Sequence, residues 1–567
     1  MSRAVRTLIL SLVVLALLAG CAPKATPTPV PQATKAPPTA VPPTQPPPKP
    51  TNTPVPEPKV FRAPAWEPDS LDPSKGGSGY QEFQNLYEPL VDAYSPDGQI
   101  KGLAAESFTA SADGLTYTFK LRPNLKWSDG KAVVAEEYRF AWLRQLDPVT
   151  ASYTPDYFYA IVNGKEYNEG TEKDATKVGI QCPDERTIVV TLKEPAPYFL
   201  RYVGSQEYFP MRKDILQKFG DKWMEAGNFV GNGPYMLKEW LHDQKLVLIK
   251  NPYYEGPWKD TRKIDRIEFM AVQDPWSQGV APYEANEVDV AIVPATDLDR
   301  IKADPKLSKE LQLLPIAGSN IMVFDTKNPP TSDVRVRQAL VMAIDRKTLA
   351  GKVLKGAFAP ADSFSPAALN SYDPSTFLGY NPTKAKELLA EAGFSGGKGF
   401  PTFEFVHWTG ERETLCAQAI IAMWKDTLGI DTKETVLEPK AMRDYRISRK
   451  TEPFNVYFAI NWAGIADPSE FHNAQLDPDS NVRWSRYDNA EYVKLIRDAM
   501  KEPDLAKRDQ MYKQAEAFIN RDVPMISVVF EARNWLVKPY VKNFANVTTA
   551  IAEMTKISAP PGLDIVK

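Results

Sequence analysis

The residues best suited to acid–base, nucleophilic or metal chemistry are few in this sequence and lie far apart. Its three histidines are His242, His407 and His472, and no two have the spacing of a metal-binding pair such as HExxH. No G-x-S-x-G nucleophile elbow occurs, and GGKG (396–399) lacks the spacing and the Ser or Thr of a phosphate loop. Carboxylates are abundant, but no pair is marked out for glycosidic chemistry. The sequence therefore predicts no enzyme activity, no cofactor and no metal site.

The stretch NWAGIADP (461–468) could instead bind a ligand without transforming it. It follows FNVYFAI, whose β-branched and aromatic residues predict a buried strand that ends at Asn461. Trp462 would offer a flat apolar surface, while Ala463 and Gly464 would leave backbone groups open to a ligand. Many strands simply end in this way, so a ligand platform is one of two interpretations.

Strands and helices are mixed along the rest of the chain, which predicts an α/β fold without a repeat of fixed period. Strands are predicted at 115–122, 187–192 and 245–250, where apolar residues recur at strand spacing. Helices are predicted at 334–354, with Asp333 or Ser332 as N-cap, at 380–394, with Asn381 as N-cap, and at 505–522.

Length and composition indicate a large globular protein with several domains. A chain of 567 residues is too long for one core and corresponds to about three or four domains. Its residues are 43% hydrophobic and 25% charged, which is ordinary for globular proteins. The net charge of −3 provides no basic face for nucleic acid.

The first 21 residues resemble a bacterial lipoprotein signal. A basic start, MSRAVRT, precedes the apolar run LILSLVVLALLAG, which is too short to span a bilayer comfortably. The run ends in the lipobox-like sequence LAGC, which implies cleavage after Gly20 and a lipid on the thiol of Cys21. An ordinary secretory signal or a short membrane anchor is the alternative. Residues 22–58 contain 15 prolines in 37 positions and predict an extended tether.

Two cysteines remain if Cys21 carries lipid. They are Cys182 and Cys416, which lie far apart in the sequence. Two separate thiols are expected, and a disulfide between them is the alternative.

Several stretches, taken in order, resemble the substrate-binding lipoproteins of peptide-type ABC transporters, which form solute-binding protein family 5. The most specific is GLAAESFTASADGLTYTFKLRPNLKWSDGKAVVAEEYRFAW (102–142). Others are EPDSLDP (67–73), LYEPLV (86–91), EPAPYF (194–199), KFGDKW (218–223), NGPYMLKEW (232–240) and DVRVRQALVMAIDR (333–346). The resemblance implies a bilobed α/β fold of the large, three-domain, type II periplasmic-binding-protein class, which closes about hinges on its ligand.

The resemblance also implies domain boundaries and partners. The segments are a signal peptide (1–20), the tether (21–58), domain I (59–94, 211–312 and 525–567), domain II (95–210) and domain III (313–524). The chain would be a lipid-anchored, extracytoplasmic monomer that captures a ligand between two lobes and delivers it to an ABC permease with its ATPase subunits. A peptide is the expected ligand. An oligosaccharide is the alternative, and an extracellular enzyme or a sensory binding protein also remains open.

In this family the ligand cleft is lined by a loop of domain I, an aromatic loop of domain II and strand ends of domain III. The positions that match in this sequence are Gly79, Tyr80, Tyr153, Tyr157, Ser319, Asn320, Asn461, Trp462, Ala463 and Gly464, with Met442 and Arg449 from a less well matched region.

The sequence departs from the family where a free amine would bind. Oligopeptide-binding members carry an aspartate three residues after this tryptophan, and its carboxylate pairs with the amine of the peptide. Ile465 stands at that position here, and Asp467 follows two residues later. A peptide would then be held through backbone contacts, or by Asp467 shifted inward. An oligosaccharide would stack on Trp462 and nearby tyrosines.

Overall fold

The computed structural model describes residues 57–75, 80–93, 99–449, 451–465, 467–478, 485–547 and 562–566, all within the unit Glu57–Lys567. Cys21, the predicted signal peptide, Gly79 and all but the last residues of the tether lie outside these ranges.

Most strands of the described residues are short, and two of them, Leu311–Phe324 and Met525–Val537, are long. In chain order they are β1 Val60–Ala65, β2 Val91–Asp92, β3 Lys101–Gly102, β4 Ala105–Ala110, β5 Thr116–Leu121, β6 Ile180–Asp184, β7 Thr187–Thr191, β8 Tyr235–Leu241, β9 Lys245–Lys250, β10 Arg266–Ala271, β11 Val290–Ile292, β12 Leu311–Phe324, β13 Ala359–Pro360, β14 Phe403–Trp408, β15 Thr432–Leu437, β16 Val456–Trp462, β17 Met525–Val537, β18 Val541–Lys542 and β19 Asp564–Ile565.

The α-helices are concentrated in the second half of the chain. In order they are α1 Tyr80–Leu86, α2 Ala135–Leu146, α3 Gly164–Asn168, α4 Phe199–Val203, α5 Lys213–Phe219, α6 Val280–Glu284, α7 Ala295–Ala303, α8 Leu307–Glu310, α9 Val334–Met342, α10 Arg346–Thr348, α11 Pro382–Glu391, α12 Glu411–Leu428, α13 Pro439–Ser448, α14 Ser469–Leu476, α15 Ala490–Lys501, α16 Leu505–Asp522 and α17 Phe544–Val547. Short 3₁₀ turns lie at Pro155–Phe158, Ala175–Lys177, Gln206–Tyr208, Gly220–Met224, Pro374–Thr376 and Ser395–Gly397, and a π turn at Leu349–Val353.

Three larger sheets organise these strands. One four-stranded sheet has the order β1-β10-β9-β8, and a second, antiparallel, has the order β4-β5-β7-β6. The third sheet has the order β11-β17-β12-β16-β14-β15, and β13 also pairs with β17. Strands β12 and β17 pair with each other along most of their length. They therefore connect the part of this sheet that contains β11 to the part that contains β16. Their pairing is interrupted by a register shift between Pro315 and Ser319.

Both faces of the central strands are buried, which explains why their sequences lack the alternation of a half-exposed strand. In β16, Tyr457 and Ala459 pack into one hydrophobic core, and Val456 and Phe458 into another. The second core also contains Trp424 of α12, whose indole N–H donates to the Leu340 carbonyl at 2.8 Å. Consecutive strand residues point to opposite faces, so residues 460 and 462 point to the side of Phe458.

Two of the three predicted helices are confirmed. Helix α16 has the predicted bounds, and α11 begins at Pro382 with the Asn381 side chain accepting from the Lys384 amide at 3.0 Å. The helix predicted over 334–354 is wrong in length, because α9 ends at Met342 and Asp345 begins a new helix by accepting from the Thr348 amide. The same break lets the buried Arg346 donate to the carbonyls of Ser527 and Leu378, at 3.2 and 3.1 Å.

Candidate functional site

Strand β16 extends through Trp462, so the prediction that it ends at Asn461 was wrong. The reason is its neighbour: Asn461 pairs with Ser319 and Trp462 with Gly318 of β12. The Ala463 amide then donates to the Ala317 carbonyl at 2.9 Å. Although this backbone is held on the sheet, the Trp462 side chain remains 46% exposed. A rigid strand end therefore presents a large indole to solvent.

Gly318 lies directly beneath the indole. A Cβ atom at this position would lie 2.3 Å from Cδ1 of Trp462 and 2.9 Å from Cγ of Glu531. Both separations are too short for non-bonded carbon atoms. Glycine therefore allows the Trp462 ring to lie across the neighbouring strand, close to its backbone.

A buried carboxylate supports the sheet beside this glycine. Glu531 of β17 is fully buried and accepts hydrogen bonds from Asn320 Nδ2 at 2.5 Å, Arg412 Nη1 at 2.7 Å and Arg533 Nη1 at 3.1 Å. Burial of an unpaired carboxylate would be costly, and the two guanidinium groups and the Asn320 amide offset that cost. The predicted site residue Asn320 thus lies in the structural support under the indole.

Two further tryptophans continue the aromatic surface. The Trp276 ring meets the Trp462 ring edge to face, with centroids 6.1 Å apart, and meets the Trp66 ring in the same way at 4.9 Å. The Arg533 guanidinium lies over Trp276, 4.9 Å from the ring centroid. Sequence reasoning missed both tryptophans, because they are far from Trp462 in the chain and no local motif marks them.

Four other predicted residues of this region are buried. Ser319 donates to the Ser527 hydroxyl at 2.5 Å, and the Asn461 side-chain carbonyl accepts from Gln475 Nε2 at 2.9 Å. Ala463 is 3% exposed, and Met442 is 1% exposed in the hydrophobic core. The structure buries all four side chains, so none of them adds exposed surface beside Trp462.

Gly464 and Tyr157, two of the residues predicted to line the cleft, lie close together. A Cβ atom on Gly464 would lie 3.0 Å from the Tyr157 hydroxyl. Tyr157 in turn contacts Tyr202, with ring centroids 4.6 Å apart. Tyr153, on the same segment as Tyr157, is 67% exposed and has no described contact with the Trp462 strand end.

Glu470, which the sequence did not single out, lies at this contact. Its Oε2 accepts from the Gly464 amide at 3.2 Å. Burial raises the pKa of Glu470 to about 7, and the negative charges of Asp467 and Asp156 act in the same direction. The carboxyl group therefore titrates near neutral pH, well above the range of an exposed glutamate.

Asp467 forms a buried ion pair. Arg508 donates to its two oxygens at 2.6 and 2.8 Å, and the Ser469 amide donates to Oδ1 at 3.0 Å. Burial alone would raise the pKa of Asp467, but the charge and hydrogen bonds of Arg508 hold it below its usual value. Ile465 is fully buried. In this structure both oxygens of Asp467 are thus engaged within the protein.

The remaining predicted site residues lie apart from the side chains around Trp462 or outside the described part of the structure. Arg449 donates to Ser448 Oγ and to Glu452, and its guanidinium lies 4.3 Å from the Tyr445 ring centroid. Tyr80 is the first residue of α1, and its side chain lies outside the described part of the structure.

No metal-binding cluster of three or more His, Cys, Asp or Glu side chains occurs within the described ranges. Cys182 and Cys416 are free thiols. Burial raises the pKa of both to about 12. No helix in the described part of the chain is long and apolar enough to cross a bilayer.

Comparison with known sequences identifies one family over most of the chain. The family model for the bacterial extracellular solute-binding proteins, family 5 (middle), matches residues 99–482. The probable deoxycholate-binding periplasmic protein YgiS of Escherichia coli is 31% identical over 512 residues, 87% of this chain and 92% of YgiS. The periplasmic oligopeptide-binding protein OppA of Salmonella typhimurium is 31% identical over 491 residues, 84% of this chain and 88% of OppA.

Solved structures show the same bilobed α/β fold. The unliganded open form of MppA, a periplasmic murein tripeptide binding protein, superposes with a TM-score of 0.78 at 28% identity, over 90% of this chain and 98% of MppA. OppA of Haemophilus influenzae in complex with the peptide RPPGFSPFR gives a TM-score of 0.66 at 27% identity, over 90% and 100% of the two chains. The present structure is thus more similar to that open form than to that complex.

Proposed function

We propose, from the membership of this chain in the bacterial extracellular solute-binding proteins of family 5, that it captures a peptide for an ABC importer. The observation that carries this proposal is the half-exposed Trp462 on the rigid end of β16. An indole buries apolar ligand surface with little loss of side-chain entropy. A ligand that contacts both lobes binds the closed arrangement better and shifts the population toward it.

A peptide is favoured as the ligand because the relatives OppA and MppA are named for peptide binding. The engagement of Asp467 by Arg508 favours a peptide held through backbone contacts and apolar side chains rather than through its free amine. The domain organisation expected from the resemblance, a monomeric state and delivery to a permease with ATPase subunits belong to the same proposal.

A second ligand class is supported by one specific observation. YgiS, named for probable deoxycholate binding, is similar over 87% of this chain. An amphipathic steroid would use the aromatic surface of Trp462 and Trp276 through its apolar face. The oligosaccharide expected as the alternative from the sequence would use the same rings by stacking.

Ligand binding to the purified full chain, unfolded and refolded to remove bound molecules, distinguishes these classes. Isothermal calorimetry and thermal unfolding are measured with peptides of three to five residues, deoxycholate and a maltooligosaccharide. We expect peptides to stabilise the protein, by about 2.7 kcal/mol at a concentration 100 times Kd, without being hydrolysed. Stabilisation by deoxycholate or sugar alone would reassign the ligand, and turnover of any ligand would contradict a pure binding role.

We further propose that a lipid on Cys21 anchors the chain outside the cytoplasm. The lipobox-like sequence at 18–21 and the proline-rich segment that follows support this anchor. Replacement Cys21→Ser should move the protein from the membrane fraction to the soluble fraction of the producing cells. Cys182→Ser serves as the control, since it removes a cysteine outside the signal. Continued membrane association of the Cys21→Ser protein would refute the lipid anchor.

A further inference from the structure

The loop that carries Trp276 is connected to a different sheet from the one that contains Trp462. It follows β10, a strand of the first four-stranded sheet, whereas Trp462 ends β16 of the seven-stranded sheet. The loop is held in shape by Asp274, which accepts from the Trp276 amide at 2.9 Å and from the Ser277 hydroxyl at 2.6 Å. The edge-to-face contact at 6.1 Å therefore joins residues that are attached to two different sheets.

The contacts around Trp276 form a closed ring. Trp462 lies against Gly318, and Gly318 lies against Glu531. Glu531 accepts from Arg533, Arg533 lies over Trp276, and Trp276 meets Trp462. Each of these residues contacts two of the others, so the orientation of the exposed Trp462 indole depends on the whole set of contacts. Trp276 is the member that comes from outside the seven-stranded sheet.

The ring also lies at the register shift of the two long strands. Gly318 falls within the shift between Pro315 and Ser319, and Glu531 and Arg533 lie on β17 opposite that region. A change in the relative position of the two sheets would bend β12 and β17 near this point. The Trp276 side chain would then move relative to the Trp462 side chain, because the two residues are attached to different sheets.

We infer that Trp276 is a positioning residue for the Trp462 platform: its edge contact orients the indole for ligand, and movement of the lobes changes that contact. This inference rests on the proposed role of Trp462 in ligand binding. It assigns to Trp276 and Arg533 a part in recognition without requiring either to touch the ligand. The ligand surface that this arrangement selects is apolar, because these residues present an oriented indole face and not a charge.

The orientation of Trp462 can be measured without ligand by ¹⁹F NMR of the full chain labelled with 5-fluorotryptophan. The chain has 12 tryptophans, and the Trp462 signal is the one that Trp462→Phe removes. We expect Trp276→Ala to shift or broaden the Trp462 signal, and Trp276→Phe, which retains an aromatic edge, to leave it near its original position. Tyr253→Ala is the control, because Tyr253 is also exposed and contacts Gly130 instead.

Ligand affinity provides the second readout, with the tripeptide Ala-Phe-Ala and deoxycholate as probes. Loss of an aromatic pair should weaken binding of the probe that the unaltered chain binds by about three- to tenfold in Trp276→Ala. Trp276→Phe should restore most of the affinity. An unchanged Trp462 signal in folded Trp276→Ala would overturn the inference, as would unchanged affinity where Trp462→Ala weakens binding.

The two proposals fail in different ways. If the unaltered chain binds neither probe and Trp462→Ala is without effect on any ligand, the proposed function of the platform is wrong. The ¹⁹F signal still decides the positioning role of Trp276 in that case, because it is measured on the ligand-free protein. If Trp276→Ala does not fold, Trp276→Leu, which keeps an apolar side chain but has no aromatic edge, tests the same contact, and an unmoved Trp462 signal in this variant contradicts the inference.

Discussion

Trp462→Ala should weaken ligand binding by roughly 30- to 1,000-fold, equivalent to about 2–4 kcal/mol, as removal of a central aromatic contact does. The melting temperature of the ligand-free protein should change by less than about 2 °C, since the side chain is 46% exposed and leaves no closed cavity. Calorimetric titration and thermal unfolding of the same preparations measure both quantities. A large loss of melting temperature with normal affinity would instead make Trp462 a core residue.

Gly318→Ala tests the same platform from below. The added methyl group would lie 2.3 Å from Cδ1 of Trp462 in its present position, so the indole must move. We expect reduced affinity although no ligand-facing group is removed. Gly379→Ala is a matched control, because a Cβ atom at that glycine meets no atom within 4 Å. Equal affinity of the Gly318→Ala protein and the control would show that the ring orientation is unimportant for binding.

The second large effect is expected from Asp467→Asn, which should reduce the free energy of unfolding by about 3–5 kcal/mol at pH 7 by leaving the buried Arg508 charge unpaired. Urea unfolding followed by circular dichroism measures the loss. The control is Asp498→Ala, which removes the exposed partner of Lys494 on α15 and should cost less than about 0.5 kcal/mol. A loss no larger than that of the control would mean that the Asp467–Arg508 pair does not hold this segment.

The pH dependence of this effect has a definite sign. The pKa of Asp467 is lower in the folded protein than in the unfolded chain, where it is about 3.9. Its stabilising contribution is therefore fully present above the unfolded pKa and is lost as the pH falls through the folded pKa. The stability that the Asp467–Arg508 pair contributes, and that Asp467→Asn lacks, should shrink as the pH falls below about 4.

Ligand affinity of the same variant distinguishes the two interpretations of Asp467. If Asp467 moved inward to bind a peptide amine, Asp467→Asn would lower affinity for a free peptide far more than for an N-acetylated one. With Arg508 as its partner, both peptides should be affected equally. This comparison does not depend on how much stability the variant loses, provided that it is folded at the temperature of measurement.

Elements with local signals could be predicted from the sequence, and contacts between distant segments could not. The N-cap Asn381 and the bounds of α16 follow from residues within one turn. The end of β16 depends on pairing with Ser319 and Gly318, more than 140 positions earlier, and the sequence of β16 alone indicates a shorter strand. The break after α9 likewise serves Arg346, whose acceptors Ser527 and Leu378 lie in other segments.

The candidate site shows the same division. Trp462, Gly464 and Tyr157 could be selected from their resemblance to family positions, and the structure brings the last two together. Trp276, Glu470 and Glu531 could not be selected, because tertiary packing alone brings them to the site. Their roles depend on a ring contact, a backbone amide and two guanidinium groups supplied by other parts of the chain.

The position of β17 in the sheet constrains when the protein can finish folding. This strand, Met525–Val537, pairs with β11, β12 and β13, all of which are synthesised earlier. Until it emerges, β11 and β13 have no described strand partner and one edge of β12 is open to other chains. A chain that is shortened before Met525 should therefore accumulate as an aggregation-prone intermediate rather than as a smaller binding protein, since long-range strand pairing forms late.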